Sequence, residues 1–261
     1  MSSSKVSVTA HDTALLVEIN RPAVRNAVDN ETAEALADAF RRFDKDPALR
    51  VAVFAGRDGT FCAGADLKQM ASGERRKRWR ESTDGPMGPT RLALSKPVIA
   101  AVEGYAVAGG FELALWCDLR IAATNAVFGV FNRRWGVPLM DGGTVRLPRL
   151  VGEGRALEIT LTGRPVAADE ALRIGLVNEV TPPGGAVARA LELAHTLASL
   201  PQDAFNLDRQ SIRRQAGLSL ADAMNKEFRE SLAAQGVEQG ASRFVEGAGR
   251  HGVAVPASHQ R

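Results

Sequence analysis

The sequence predicts an α/β fold followed by a helical region. Short apolar segments typical of buried strands, such as 51–55 and 98–102, alternate with helix-like segments over the first half of the chain. After about residue 150 strand-like segments almost disappear, and alanine- and leucine-rich stretches bounded by glycine and proline take their place. This alternation is typical of a sheet with crossover connections. We therefore expect an α/β core over residues 1–195, strand-rich to about residue 150, and a C-terminal helical region over residues 196–261.

The elements of the first half follow from local patterns. β-Branched residues on both sides of His11–Asp12 predict a hairpin, and Asn30 before an alanine-rich stretch of helical period predicts an N-cap. Uninterrupted apolar runs that end in glycine predict buried strands. In order, we expect a hairpin of Val6–Thr9 and Ala14–Ile19, a helix over Glu31–Phe43, a strand at Val51–Ala55, a short helix from about Ala65, a strand at Val98–Val102, a helix over Ala108–Trp116, and strands at Leu119–Ala123 and Ala126–Val130.

Glycine and proline divide the second half into helical segments of ordinary length. The expected helices are Glu153–Leu161, Ala168–Ile174, Ala186–Leu200, Phe205–Ala216 and Leu220–Gln235.

Composition excludes several classes of protein. The chain has 261 residues, 45% hydrophobic and 24% charged, which is typical of a folded globular protein and not of a disordered one. A net charge of +3 is too small to indicate nucleic-acid binding, and the apolar stretches are too short to span a membrane. Two cysteines favour a reducing compartment, so we expect a cytoplasmic protein, and the scattered histidines predict no metal site.

Two glycine-rich turns, Phe61–Leu67 and Glu103–Leu113, each join a strand to a helix. Each presents backbone N–H groups at the start of a helix, where the first donors lack intrahelical partners. Two such turns that face one point form an oxyanion hole, whereas the alternative is that the glycines serve only the tight turns. Neither a phosphate-binding loop with its lysine nor a dinucleotide-binding glycine pattern is present.

The paired segments F-C-A-G-A-D-L at 61–67 and G-Y-A-V-A-G-G-F-E-L-A-L-W-C-D at 104–118 resemble the signature of the crotonase (enoyl-CoA hydratase/isomerase) superfamily. Further matches carry the resemblance from about residue 6 to residue 232, at Asn20–Ala27, Lys96–Val102, Gly142–Gly152 and Ala167–Asn178. The resemblance implies a crotonase-like ββα spiral core with a C-terminal helical trimerisation region, and a homotrimer or a dimer of trimers.

The shared chemistry of that superfamily implies an acyl-CoA thioester as substrate. Its carbonyl would be polarised by two backbone N–H groups, which by position are those of Ala65 and Gly109. Ala63 would meet the adenine through its carbonyl, and Val24, Arg25 and Lys68 would lie along the CoA. The CoA- and substrate-binding positions by resemblance are Val24, Arg25, Ala63, Gly64, Asp66, Leu67, Lys68 and Gly110. CoA is part of the substrate, so no separate cofactor is expected.

Three side chains are candidates for a part in catalysis. Glu112 matches one of the two glutamates of typical hydratases, but Asn132 stands where the second would be, and an amide orients water without transferring a proton. Asp141 has the spacing of a catalytic aspartate in dienoyl-CoA isomerases, or it caps the following helix. Arg133 or Arg134 is an alternative partner for these carboxylates.

We therefore expect an enoyl-CoA hydratase, which converts a trans-2-enoyl-CoA and water into a 3-hydroxyacyl-CoA. The alternatives are an enoyl- or dienoyl-CoA isomerase, an acyl-CoA hydrolase or carbon–carbon bond-cleaving member, and a weakly catalytic CoA-binding protein. Residues 74–81 hold five basic and two acidic side chains, so this segment either attracts the CoA phosphates or forms a solvated loop.

Overall fold

The computed structural model describes residues 4–75 and 84–248, and it divides into two compact units, Met1–Ala194 and His195–Arg261. The strands are β1 Val6–His11, β2 Ala14–Ile19, β3 Val51–Gly56, β4 Val98–Val102, β5 Tyr105–Val107, β6 Leu119–Ala123, β7 Val127–Gly129, β8 Val166–Ala167 and β9 Glu179–Thr181. The helices are α1 Asn30–Lys45, α2 Leu67–Ala71, α3 Gly109–Trp116, α4 Gly143–Val151, α5 Glu153–Thr162, α6 Ala168–Arg173, α7 Ala186–Ala198, α8 Gln202–Arg214, α9 Leu220–Ser231 and α10 Val237–Val245.

The first unit is built on a six-stranded sheet in the order β1-β2-β3-β4-β6-β9. The β1–β2 hairpin is antiparallel, and every other pairing in this sheet is parallel, as the expected crossover connections require. A smaller sheet in the order β5-β7-β8 lies beside the turns described below. The α/β fold class is confirmed.

Burial explains why the central strands have uninterrupted apolar sequences. Every residue of β4, and every residue of β3 up to Ala55, is buried, because both faces of the sheet are covered. Phe40 of α1 packs edge-to-face on Phe54 and Trp116, with ring centroids 5.3 and 4.9 Å apart. These aromatic contacts fix α1 and α3 on the sheet.

Two helix boundaries differ from expectation. The N-cap of α1 is Asp29 and not Asn30, because the Asp29 carboxylate accepts the Thr32 N–H at 2.8 Å while salt bridges from Lys5 and Arg21 hold it in place. The helix expected over 220–235 is α9 and ends earlier, at Ser231, and a further helix, α10, that was not expected begins after Gly236, whose φ of 89° lies in the left-handed region. The other helices expected after residue 150 are confirmed within a few residues at their ends.

Among the described residues, the structure contains no helix with the length and apolar character that a membrane span requires. The second unit consists of helices, and many of its large apolar side chains are exposed, among them Ile212, Leu220, Met224, Phe228, Leu232 and Phe244.

Candidate active site

The two glycine-rich turns follow two chain segments that pair with each other. Residues 61–62 run parallel to β5: Phe61 donates its N–H to the Glu103 carbonyl at 2.8 Å, and Cys62 donates to the Tyr105 carbonyl at 2.8 Å. Val107 closes the pairing with a 3.1 Å hydrogen bond to the Cys62 carbonyl. Because the chains are parallel, the turns that follow both segments lie side by side at the carboxyl ends of the strands.

The backbone at these turns exposes two N–H groups. Gly64 has a φ of 98°, and a Cβ at this position would lie 3.1 Å from the Gly109 nitrogen, so only glycine permits the close approach. Ala108 has a φ of 53°, an unusual value for a residue with a side chain, and it directs the start of α3. The N–H groups of Ala65 and Gly109 donate to no protein group among residues 4–75 and 84–248. Together they form a candidate oxyanion hole.

Glu112 lies in the first turn of α3 and is 3% exposed. One of its oxygens, Oε1, accepts the N–H of Asp141 at 2.8 Å and the N–H of Gly143 at 2.9 Å, so this side chain satisfies the start of α4. Burial, and then the negative charge of Asp141, raises the pKa of Glu112 to about 7 in spite of these hydrogen bonds. A carboxyl group with this pKa exchanges a proton readily at neutral pH.

Asp141 is 5% exposed and does not cap a helix. Its Oδ1 accepts the Met87 N–H at 2.9 Å and the Thr90 hydroxyl, and Gly142 is the N-cap of α4. The capping alternative is therefore wrong, because the segment containing Met87 and Thr90 binds the carboxylate instead. Burial raises the pKa of Asp141, opposed by these hydrogen bonds and by the positive charges of Arg75 and Arg91.

Asn132 is buried in the helical turn of residues 131–135. Its Nδ2 donates to the Val137 carbonyl at 2.7 Å, which fixes the orientation of the amide. Its Oδ1 has no hydrogen-bond partner among the described residues. A buried acceptor without a partner is costly, so this oxygen is suited to a donor from a ligand or a water.

These groups line one cavity that is open to solvent. The oxyanion-hole residues Ala65 and Gly109 contribute to it together with Glu112, Asn132 and Asp141. Most of the remaining wall is apolar and includes Leu67, Met70, Met87, Phe131, Trp135 and Met140. An apolar pocket with a few convergent polar groups is typical of a small-molecule site.

Comparisons with known proteins agree with this geometry. The family model described as enoyl-CoA hydratase/isomerase matches residues 9–250. The chain belongs to this family. It is 35% identical over 254 residues to a crotonyl-CoA hydratase of Syntrophomonas wolfei, which covers 94% of this chain and 96% of that protein. It is 40% identical over 195 residues to enoyl-CoA hydratase EchA19 of Mycobacterium tuberculosis, with 71% of each chain covered.

The fold of the solved relatives is the same. The crystal structure of enoyl-CoA hydratase EchA1 from Mycobacterium marinum superimposes with a TM-score of 0.87 at 36% identity, and the match covers 93% of this chain and 96% of that one. The crotonase-like fold and an enzyme of the enoyl-CoA hydratase class acting on acyl-CoA are therefore confirmed for this member of the enoyl-CoA hydratase/isomerase family.

The positions assigned to CoA by family resemblance lie in three kinds of environment. Ala63 and Leu67 line the cavity, and Val24, Arg25 and Lys68 are exposed near the same turn. Asp66 caps α2 and forms a 3.1 Å salt bridge with Arg21. Gly64 and Gly110 are buried between the two turns, and a Cβ on Gly110 would lie 2.1 Å from the Cys62 carbonyl oxygen. Asp66, Gly64 and Gly110 therefore have structural contacts of their own, and contact with CoA stays a prediction for every one of these positions.

The alternative in which Arg133 or Arg134 pairs with a carboxylate is wrong. Arg133 and Arg134 do not pair with the carboxylates: Arg133 donates to the Thr160 carbonyl, and Arg134 stacks on the Phe131 ring at 4.3 Å. Cys62 is fully buried, and burial raises the pKa of its thiol to about 12, which is unsuitable for a nucleophile.

The basic segment 74–81 lies mostly outside the described residues, which end at Arg75 and resume at Asp84. Arg75 is neither a surface residue nor part of a solvated loop. It is 1% exposed and lines the cavity, a position that its charged sequence neighbours did not indicate.

Proposed function

We propose that the protein adds water reversibly to the double bond of a trans-2-enoyl-CoA thioester. The observation that supports this reaction is the convergence of two unpartnered N–H groups, Glu112 and Asp141 on one cavity. With the thioester oxygen between Ala65 and Gly109, the charge that develops on it as water adds is stabilised by both N–H groups. Binding at this point places the reacting double bond beside the carboxyl groups.

The two carboxyl groups divide the proton transfers between them. Burial and the negative charge of Asp141 raise the pKa of Glu112 to about 7, so we assign the ionised form to Asp141 and the proton to Glu112. Asp141 accepts a proton from the attacking water while the oxygen forms its bond to C3. Glu112 donates its proton to C2. The product is the 3-hydroxyacyl-CoA, and the proton returns from Asp141 to Glu112 before the next turnover.

Asn132 holds the water and transfers no proton. Its Oδ1 is a buried acceptor, and the 2.7 Å hydrogen bond from Nδ2 to Val137 prevents the amide from turning this oxygen away. One hydrogen of the attacking water is then directed to Asn132 and the other is left for Asp141. This arrangement explains how a hydratase functions with an amide in place of the usual second glutamate.

The pH dependence of crotonyl-CoA hydration tests the assignment. We expect kcat/KM to fall as the pH rises through about 7, because the proton that Glu112 donates to C2 is then lost. The measurement is the enzyme-dependent loss of the conjugated thioester absorbance over a pH series, with 3-hydroxybutyryl-CoA identified by mass spectrometry. A kcat/KM that instead rises through about 7 would show that Glu112 starts ionised and performs both transfers alone.

The same assay distinguishes the isomerase alternative. Migration of the double bond in 3-enoyl- or dienoyl-CoA substrates, without any gain of water by crotonyl-CoA, would contradict hydration while leaving the oxyanion hole in use. This alternative has support of its own, because Asp141, which has the spacing of the catalytic aspartate in dienoyl-CoA isomerases, lines the cavity.

The remaining contacts of the substrate are those that the family resemblance implies. The Ala63 carbonyl meets the adenine, and the exposed Val24, Arg25 and Lys68 lie along the CoA. The reaction needs no metal and no cofactor beyond the CoA of the substrate, because the charge on the thioester oxygen is met by backbone donors. Both cysteines are free, which supports a reducing, cytoplasmic location.

We also assign the C-terminal helices to contacts between subunits of a homotrimer or a dimer of trimers. On α9, Leu220, Met224 and Phe228 follow one another at intervals of four residues and are 78, 60 and 66% exposed. A continuous apolar stripe of this kind is unfavourable in water and favours burial against another copy.

Replacing Phe228 by aspartate is expected to dissociate the oligomer, because the change places a charge in the middle of this stripe. Sedimentation equilibrium measures the mass of the variant against the wild type, with the exposed Glu227→Gln as the matched control on the same helix. An unchanged mass for Phe228→Asp would show that α9 lies outside the subunit contact.

A further inference from the structure

Arg146 is a half-buried residue of α4 whose side chain turns back toward the start of its own helix. Its Nη1 donates to the Asp141 carbonyl at 2.7 Å, and its Nη2 donates to the Thr90 carbonyl at 2.7 Å. The two terminal nitrogens of one planar guanidinium thus join two residues that are 51 positions apart in the sequence. Lysine offers a single ammonium nitrogen in place of this fork.

The turn before α4 has room for this side chain only because it contains a glycine. Gly142 has a φ of 93°, and a Cβ on it would collide with Nη1 of Arg146. The guanidinium therefore packs directly on the Gly142 backbone, next to the Asp141 carbonyl that it binds. Gly142 thus serves the contact with Arg146 as well as the left-handed backbone of the turn.

The two carbonyls that Arg146 binds belong to residues whose side chains meet in the site. Thr90 is 1% exposed, and its hydroxyl donates to Oδ1 of Asp141, which also accepts the Met87 N–H at 2.9 Å. The Asp141 N–H donates to Glu112 at 2.8 Å. The backbone of Asp141 is therefore held on its N–H side by Glu112 and on its carbonyl side by Arg146. The same guanidinium also holds the backbone of Thr90, which supplies a donor to the carboxylate.

We propose that Arg146 is a positioning residue that holds the Asp141 carboxylate in the orientation at which it accepts a proton from the attacking water. The proposal rests on the proposed function for the part that Asp141 plays. Arg146 acts through Asp141 and not on the substrate, since the described residues that line the cavity include Asp141 but not Arg146. Proton transfer requires a close and well-aligned donor and acceptor, so a small displacement of the carboxylate slows the reaction. The geometry therefore makes kcat, and not KM, depend on Arg146.

A double-mutant cycle with Asp141→Asn separates positioning of the carboxylate from general support of the fold. We expect Arg146→Met to lower kcat for crotonyl-CoA hydration by about tenfold or more, with KM nearly unchanged. In the Asp141→Asn background the same substitution should change kcat by less than about twofold, because the carboxylate that Arg146 positions is gone. The matched control is Arg149→Met, at an exposed arginine of the same helix, which should behave as the wild type.

Equal losses of kcat in the two backgrounds would overturn the proposal, because they would show that Arg146 supports the fold and not the carboxylate. An undiminished kcat in Arg146→Met would overturn it as well. If Arg146→Met does not fold, Arg146→Lys takes its place in the same cycle. We expect a smaller loss for lysine, because its ammonium still donates to one of the two carbonyls, and the same two outcomes then decide.

The proposed function and the part of Arg146 are refuted by different results. If crotonyl-CoA is not hydrated and a 3-enoyl-CoA is isomerised, the proposed function is wrong, and the same cycle on isomerisation decides the part of Arg146. If the wild type converts neither thioester, the infrared band of the Asp141 carboxylate decides, with the matching Asp141→Asn protein as the subtraction. A band that moves in Arg146→Met supports the positioning of the carboxylate, and an unmoved band overturns it.

Discussion

Glu112→Gln is expected to lower kcat for crotonyl-CoA hydration by about 10³-fold while leaving KM nearly unchanged. The amide cannot donate a proton to C2, whereas the N–H groups of Ala65 and Gly109 still bind the thioester oxygen. Glutamine is the informative substitution because its Oε1 can still accept from Asp141 and Gly143, the two hydrogen bonds that satisfy the start of α4. Alanine would remove both and would confound catalysis with stability.

Steady-state kinetics and thermal unfolding together test this prediction. The control is Glu153→Gln, an exposed glutamate in the first turn of α5, which should leave kcat and KM as in the wild type. We expect Glu112→Gln to unfold at or above the wild-type temperature, because it removes a buried group that is partly ionised at neutral pH. Undiminished kcat in Glu112→Gln would mean that Asp141 alone performs the proton transfers.

The sheet and the two turns could be predicted from sequence because their signals are local. β3 and β4 are continuous apolar runs closed by glycine, and such a run has few alternatives to a buried strand. The turns around Gly64 and Gly109 carry small residues because a Cβ at either glycine would lie about 3 Å from neighbouring atoms, so close packing and the sequence pattern have one cause. The end of α9 at Ser231 has no such local signal, because residues 232–235 contain neither glycine nor proline.

The environment of the site residues could not be predicted because it depends on distant parts of the chain. Asp141 before Gly142 has the local pattern of a helix cap, but its partners Met87 and Thr90 are more than fifty positions away, separated by 54 and 51 residues. Arg75 belongs to a basic run that is typical of a solvated segment, and only the Val28 and Pro86 carbonyls show that it is buried. The positive φ of Ala108 has no sequence signal, since alanine rarely adopts it.

Asp141→Asn is expected to lower kcat by about 10²-fold, because the attacking water then has no base to accept its proton. Asparagine keeps the side chain in place, because its Oδ1 can accept hydrogen bonds from the Met87 N–H and the Thr90 hydroxyl as the Asp141 carboxylate does. The exposed Asp203→Asn on α8 is the matched control and should retain full activity. Crotonyl-CoA kinetics at neutral pH measure the loss.

A second measurement separates a base from a structural residue. The negative charge of Asp141 is one of the causes that raise the pKa of Glu112, so its removal in Asp141→Asn should lower that pKa from about 7. Difference infrared titration of the carboxyl stretch, with Asp141→Asn/Glu112→Gln as the subtraction, isolates Glu112. A lost kcat with an unmoved Glu112 pKa would contradict the electrostatic coupling of the two groups. A lowered pKa with full activity would show that Asp141 tunes Glu112 but accepts no proton from water.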